Sequence, residues 1–148
     1  MRAVIQRVTK ASVTVENKVV AQVDEGILAL LAVANDDEEK DAFYMAEKLT
    51  NLRVFNDSQG KINLSLKDIN GSMLLVSQFS LYADTKKGRR PSFIKAAEPK
   101  KAKDLFDKVV ALTRKQQVLV QEGVFGAKMV VKIINDGPLT LIVDSKQN

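Results

Sequence analysis

The chain has 148 residues, 45% hydrophobic and 28% charged, with 23 Lys plus Arg against 18 Asp plus Glu. That is the profile of one ordinary domain whose core needs neither disulfides nor metal. Cysteine and histidine are both absent, which excludes thiol nucleophiles, zinc fingers, Ser-His-Asp triads and every site with an imidazole as base or ligand.

Any catalysis must therefore come from carboxylates, hydroxyls, amines, backbone groups or the substrate itself, and neither metal nor cofactor is expected. At the N-terminus Ala3, Ile5 and Arg7 alternate with Val4, Gln6 and Val8, which reads as a strand rather than a secretory signal. Further strands are predicted over residues 12–15, 19–23 and 27–33, with Glu16-Asn17-Lys18 as a turn, and together they suggest a meander. The longest apolar run, residues 27–34, has eight residues, against the ~20 a membrane helix needs. The cytoplasm is the expected location, with no membrane partner.

Asn35-Asp36-Asp37-Glu38-Glu39 places a capping residue and an acidic first turn ahead of Ala42, Phe43, Ala46 and Leu49, whose spacing is helical. The acids serve that helix rather than a metal. Asn56-Asp57-Ser58-Gln59-Gly60 is a turn, and a strand lies within residues 73–82. A second helix opens at Pro99 and shows Ala102, Leu105, Phe106, Val109, Val110 and Thr113 on one face. Strands return over 118–121, 129–134 and 139–143, with Asn135-Asp136-Gly137-Pro138 as a turn between two of them. No linker interrupts the pattern. The expected fold is α+β: a single domain over residues 1–148 with an antiparallel, barrel-like sheet and two packed helices.

Charge is concentrated. Between residues 85 and 106, Lys86, Lys87, Arg89, Arg90, Lys95, Lys100, Lys101 and Lys103 oppose only Glu98 and Asp104, which leaves +6 there and −1 over the rest of a chain of net +5. Such a segment suits a polyanion, because Arg forks and Lys ammonium groups both fit phosphates. From charge alone, a merely solvated face fits as well.

Motifs with a chemical meaning are few. No Gly-x-Gly pair or Gly-Lys-Ser/Thr segment supports a nucleotide loop. Gly123-Val124-Phe125-Gly126 has the spacing of a nucleic-acid clamp without its helical context. Ser77-Gln78-Phe79-Ser80-Leu81 sets two hydroxyls and an amide beside an apolar strand, and taken alone it reads as a strand end.

In combination these segments resemble the ordered signatures of the D-aminoacyl-tRNA deacylase family, formerly called D-tyrosyl-tRNA deacylase. The matching runs are Ser77-Gln78-Phe79-Ser80-Leu81, Lys87-Gly88-Arg89-Arg90-Pro91-Ser92-Phe93 and Asn135-Asp136-Gly137-Pro138-Leu139-Thr140. The opening Met1-Arg2-Ala3-Val4-Ile5-Gln6-Arg7-Val8, the Ala11-Ser12-Val13-Thr14-Val15 run, Asn63-Leu64-Ser65-Leu66 and Phe125-Gly126-Ala127-Lys128-Met129 look like the same family, so the likeness spans the chain.

The resemblance implies a homodimeric hydrolase of translation quality control that binds aminoacylated tRNA. It would cleave the ester joining a D-amino acid, and to some extent glycine, to the 3′ adenosine. Ser77, Gln78, Phe79 and Ser80 would line the catalytic pocket, with Gln78 and the Phe79 amide near the scissile ester. Gly137 and Pro138, joined by a cis peptide and held by Arg7, would enter the partner's site and exclude an L side chain. Phe125 and Met129 would shape the adenosine site, and Lys86, Lys87, Arg89 and Arg90 would meet the tRNA. One departure is Ser80, where the family usually has Thr.

Two mechanisms are compatible with these residues. The ribose 2′-OH can assist hydrolysis, leaving positioning and oxyanion stabilisation to the protein. Alternatively Ser80 attacks as a covalent nucleophile, which requires a base that the sequence does not identify. A non-catalytic RNA-binding dimer is the competing class. DNA is not an expected partner.

Overall fold

The architecture comes from a computed structural model that describes residues 1–146. In chain order the elements are β1 (Arg2–Val15), β2 (Lys18–Val23), β3 (Gly26–Ala32), α1 (Glu39–Asn51), β4 (Phe55–Asn56), β5 (Ile62–Leu64), β6 (Ser72–Ser77), a 3-10 turn (Phe79–Tyr82), α2 (Pro99–Lys115), β7 (Leu119–Glu122) and β8 (Val130–Asp144).

β1 is the axis of a nearly closed, barrel-like sheet. β8 runs antiparallel along one of its edges, and the other edge pairs first with β3 and then with β2. Polar Thr9 and Lys10 make β1 read as two strands, and both are exposed. The register against β8 steps there from Val8–Asn135 to Lys10–Ile134, two residues facing one. Such a bulge reverses the parity of the side chains beyond it. Ala3 and Ile5 therefore join the core beneath the helices, whereas Val8, Ala11 and Val13 join a second cluster with Val23, Leu28, Leu74 and Val76.

The sheet is mixed, which corrects the expected antiparallel order. β3–β6 and β6–β7 are parallel. α1 lies in the first connection and α2 in the second, and a strand that returns over a crossover helix re-enters in its neighbour's direction. Where β3 meets β6 the backbones touch: a Cβ on Gly26 would lie 1.8 Å from Ser72 O, so only glycine fits.

Both helices form where their spacing places them. In α2 Pro99 occupies the first turn, and Leu105, Phe106, Val109, Val110 and Thr113 are buried. α1 starts later than the acidic run suggests. Its N-cap is Glu38, whose N–H donates to Asp41 Oδ2 at 2.8 Å. Asp37 is withdrawn from the helix and buried; it accepts from the Ala34 N–H and sits 2.7 Å from the Met1 amino group. A buried carboxylate needs such partners. Among the described residues no helix is long and apolar enough to cross a membrane.

Candidate active site

Parallel strands end together, and the crevice beyond their carboxyl ends is the usual place for a ligand in such sheets. A cleft of about 630 Å³ opens there. Its walls are residues 31–33 at the end of β3, residues 76–79 at the end of β6, residues 125–127 and Met129 after β7, and Pro99, Ala102 and Phe106 from the first half of α2. Phe93, Ala96 and Ala97 close the rim. The fold thus brings together five of the residues selected from the sequence: Ser77, Gln78, Phe79, Phe125 and Met129.

No lining side chain is ionisable, so the cleft has no general base of its own. The local backbone supplies polarity instead. Gln78 leaves β6 with its N–H donating to Leu31 O at 2.8 Å, and its carbonyl then accepts from Leu81 N–H as the 3-10 turn begins. The N–H groups of Phe79 and Ser80 come before the first internal donor of that turn, Leu81 N–H, and so have no acceptor within it. Phe79 itself is 57% exposed at the rim, and its ring meets Phe93 edge-on at 4.9 Å.

Ser80 is set apart from its neighbours. It does not line the cleft; its Oγ accepts a hydrogen bond from Gln78 Nε2 at 2.5 Å. Tyr82, which closes the same turn, offers no base either. Burial, reinforced by Asp37 and Asp144, pushes its phenol well above the usual value, so it stays protonated at neutral pH.

The basic loop projects beside this rim. Asp84 and Ser92 exchange two backbone hydrogen bonds, at 2.8 and 2.9 Å, and close a loop whose Lys86, Lys87, Arg89 and Arg90 are all exposed. Among the described residues none of these four forms an ion pair with a carboxylate. Phe93 follows directly, so the free cations adjoin the Phe79–Phe93 contact.

Gly137, Pro138 and Arg7 do not line the cleft of their own chain. The segment around them also departs from the expected turn between two strands. Both flanks belong to β8 and pair with the same β1: Thr140 faces Gln6, Asn135 faces Val8, and residues 136–139 bulge outward opposite Arg7 alone. Gly137 and Pro138 are exposed, the peptide joining them is cis, and Gly137 has φ +118°. Arg7 is buried beneath the excursion. Its Nη1 donates to Val54 O at 2.7 Å, and its Nε lies 2.9 Å from Asp136 Oδ2, a charge pair without hydrogen-bond alignment.

Several lining residues were not singled out from the sequence. Phe93 ends a recognised motif but is apolar, and Ala102 and Phe106 read as the buried face of a helix, where Phe106 is buried and Ala102 half-buried. Their role follows only from the junction of α2 with the strand ends.

The chain is similar to several known proteins. A model of the family described as D-Tyr-tRNA(Tyr) deacylase matches residues 4–144. A protein from Fervidobacterium nodosum named D-aminoacyl-tRNA deacylase is 54% identical over 147 residues, 99% of each chain. One of the same name from Bacillus velezensis is 53% identical over 147 residues, covering 99% of this chain and all of its own. Among solved structures, the chain resembles one named c-Myc DNA Unwinding Element Binding Protein, with a TM-score of 0.94, 38% identity and coverage of 99% and 100%.

Proposed function

The chain belongs to the D-Tyr-tRNA(Tyr) deacylase family, and from that premise we propose how its geometry serves the hydrolysis of the D-aminoacyl ester on tRNA. The observation that carries the reading is the cleft: a neutral, mostly apolar wall lined by Ser77, Gln78 and Phe79, where β6 passes into the 3-10 turn. The 3′-terminal adenosine enters between Phe125 and Met129. The ester carbonyl sits against the Phe79 and Ser80 amides, which receive the negative charge that develops as water attacks. The ribose 2′-OH beside the ester assists departure of the 3′ oxygen, so positioning replaces a protein base. The Gln78 carboxamide spends a donor on Ser80 Oγ, which supports a positioning hydroxyl rather than a nucleophile.

Selection of the D enantiomer is assigned to Gly137 and Pro138 acting across a dimer. The support is that the loop is exposed and lies outside its own cleft, while among the described residues the outer side of β8 has no strand partner and carries exposed Val130, Ile134, Leu141 and Ile142. A long apolar edge strand of this kind calls for a partner, and a second copy would bring its loop to the first copy's cleft. Rigid backbone suits the rejection of an L side chain, since discrimination is then a steric penalty on the wrong substrate. Glycine has no side chain to exclude, so glycyl-tRNA is accepted in part. The basic loop holds the tRNA by phosphate contacts, and the cytoplasm is the compartment where that substrate is found.

The test offers the pure protein matched D- and L-aminoacyl-tRNA and follows ester loss. Rapid loss of the D ester alone is the expected result; equal rates on both would remove the reading. Binding of tRNA without turnover would favour an RNA-binding module. Duplex DNA belongs in the same assay as a competitor, because a structurally similar protein is named for binding DNA, and it is expected to compete poorly.

A further inference from the structure

We infer that Asn135 is a positioning residue for the Gly137–Pro138 loop, a clamp that closes the neck of the excursion so that the loop projects in one geometry. This rests on the selective role proposed for that loop. One side-chain amide spans the neck: Asn135 Nδ2 donates to Arg7 O across the strand pair at 2.9 Å and to Leu139 O, on the far side of the excursion, at 3.0 Å. The need for it follows from the register. Between the Gln6–Thr140 and Val8–Asn135 pairs, four residues of β8 face one residue of β1, so the regular ladder cannot serve the backbone groups there, and unpaired backbone carbonyls are costly where water is excluded. The two N–H bonds of one carboxamide take up a carbonyl on each side of the gap.

Arg7 completes the arrangement from below. Its carbonyl receives Asn135, while its guanidinium reaches Val54 O and Asp136. A Cβ on Gly137 would lie 2.7 Å from Arg7 Nη2, so the loop rests directly on that side chain. The neck is held by Asn135 and the body by Arg7, and a loop free to sway at its neck would present its carbonyls over a range of positions. Sharp steric rejection does not survive such sway.

The chemistry of the clamp separates it from general stabilisation. Asn135→Asp keeps the shape but replaces two donors by a carboxylate facing two carbonyls. The two carbonyls disfavour the charged form and raise the pKa of that carboxyl above its ordinary value, so protonation at lower pH gives the side chain back one donor. The experiment measures kcat/KM for matched D- and L-aminoacyl-tRNA with wild type, Asn135→Ala and Asn135→Asp, each at pH 5 and pH 7.5. The expected result is a fall of at least tenfold in the D-over-L ratio for both variants at pH 7.5, arising mainly from faster L turnover, with part of the ratio regained at pH 5 by Asn135→Asp alone. In the wild type, the Asn135 side-chain amide protons should exchange with solvent well below the rate of a free carboxamide. That measurement needs neither a variant nor turnover.

A selective wild type whose ratio is untouched by both substitutions, or whose Asn135 amide exchanges freely, would overturn the inference and leave the proposed function standing. A wild type with no D-over-L preference would instead remove the proposed function, while the exchange measurement would still report on the clamp.

Discussion

Gly137→Ala is the sharpest probe of the loop, because the structure sets what the added methyl must meet. Its Cβ would lie 2.7 Å from Arg7 Nη2 and 3.1 Å from Leu139 N. Arg7 cannot move aside freely: its side chain is buried, and its Nη1 donates to Val54 O at 2.7 Å. Dislodging a charged donor from a buried acceptor costs about 1.5–3 kcal/mol. An L residue at φ +118° adds about 1–3 kcal/mol of backbone strain. If the loop keeps its place, the two together remove about 3–6 kcal/mol, a fall in Tm of order 10 °C for a domain of this size. If the loop yields, most of that cost is relieved, but the carbonyls leave their positions and the D-over-L ratio collapses. Stability and selectivity are thus coupled inversely. Calorimetry at one fixed protein concentration reads the first, and kcat/KM on matched enantiomers reads the second. A variant that keeps both its Tm and its ratio would refute the reasoning about Arg7 and the loop together.

Ser80→Ala should retain activity to within about tenfold, with the shape of the pH–rate profile unchanged, whereas loss of an obligatory nucleophile costs about 10⁴–10⁶; abolished turnover with D-aminoacyl-tRNA still bound would establish the covalent route. Replacing Lys86, Lys87, Arg89 and Arg90 with Ala should flatten the log–log dependence of tRNA affinity on salt by about 3, since each phosphate neutralised contributes roughly 0.7–0.9; filter binding at several salt concentrations measures it, and an unchanged slope would move the contact elsewhere. Gly26→Ala forces a methyl to 1.8 Å from Ser72 O and should cost at least about 3 kcal/mol, roughly 6–12 °C in Tm; a loss under ~2 °C would show that β3 and β6 separate easily. Adding an excess of a chain altered at Gln78 and Phe79 to one altered at Gly137 and Pro138 should restore the D-over-L ratio, because each mixed dimer holds one site with an intact pocket and an intact partner loop, and an unchanged ratio would confine the loop to its own chain.

The strands and helices were legible because each carries its own period. Ala3 and Ile5 alternate as a strand face, and Leu105, Phe106, Val109 and Val110 recur as a helix face. Strand direction was not, because it belongs to no single element. The β3–α1–β6 and β6–α2–β7 orders were visible in the sequence, and it is the crossover rule, rather than any residue, that makes those pairs parallel. The bulge at Thr9 and Lys10 was visible only as a break in alternation, and its consequence, that Ala11 and Val13 face a different cluster from Ala3 and Ile5, appears once β8 is laid alongside. At the site, Ser77, Gln78 and Phe79 were identified through resemblance and not through period, since a strand end carries little pattern. Arg7 was legible in another sense: it shares the parity of Ala3 and Ile5, and an arginine on a buried strand face requires acceptors. Its partners, the acceptor Val54 O and the counter-charge Asp136, lie 47 and 129 positions away, beyond any local reading.

The division of charge in the folded chain bears on why a protein without histidine or cysteine can perform this chemistry. The cations stand outside the cleft, on the 84–92 loop, where water and salt weaken them and where long-range attraction to phosphate needs no precise geometry. The cleft itself is neutral. In an apolar surround a backbone N–H acts on developing negative charge with little competition from solvent, so on the proposed mechanism the main-chain donors of the turn after β6 count for more than the exposed cations would. On the proposed mechanism affinity, rate and selectivity depend on separate groups: phosphate contacts on the loop, main-chain donors at Phe79 and Ser80, and the Gly137–Pro138 excursion on β8. Damage to the basic loop should raise KM with little change in kcat, while damage to the turn at Phe79 should lower kcat at saturating tRNA. If both kinds of variant lowered kcat alike, the loop and the cleft would have to act as one unit, and the separation argued from their placement would be wrong.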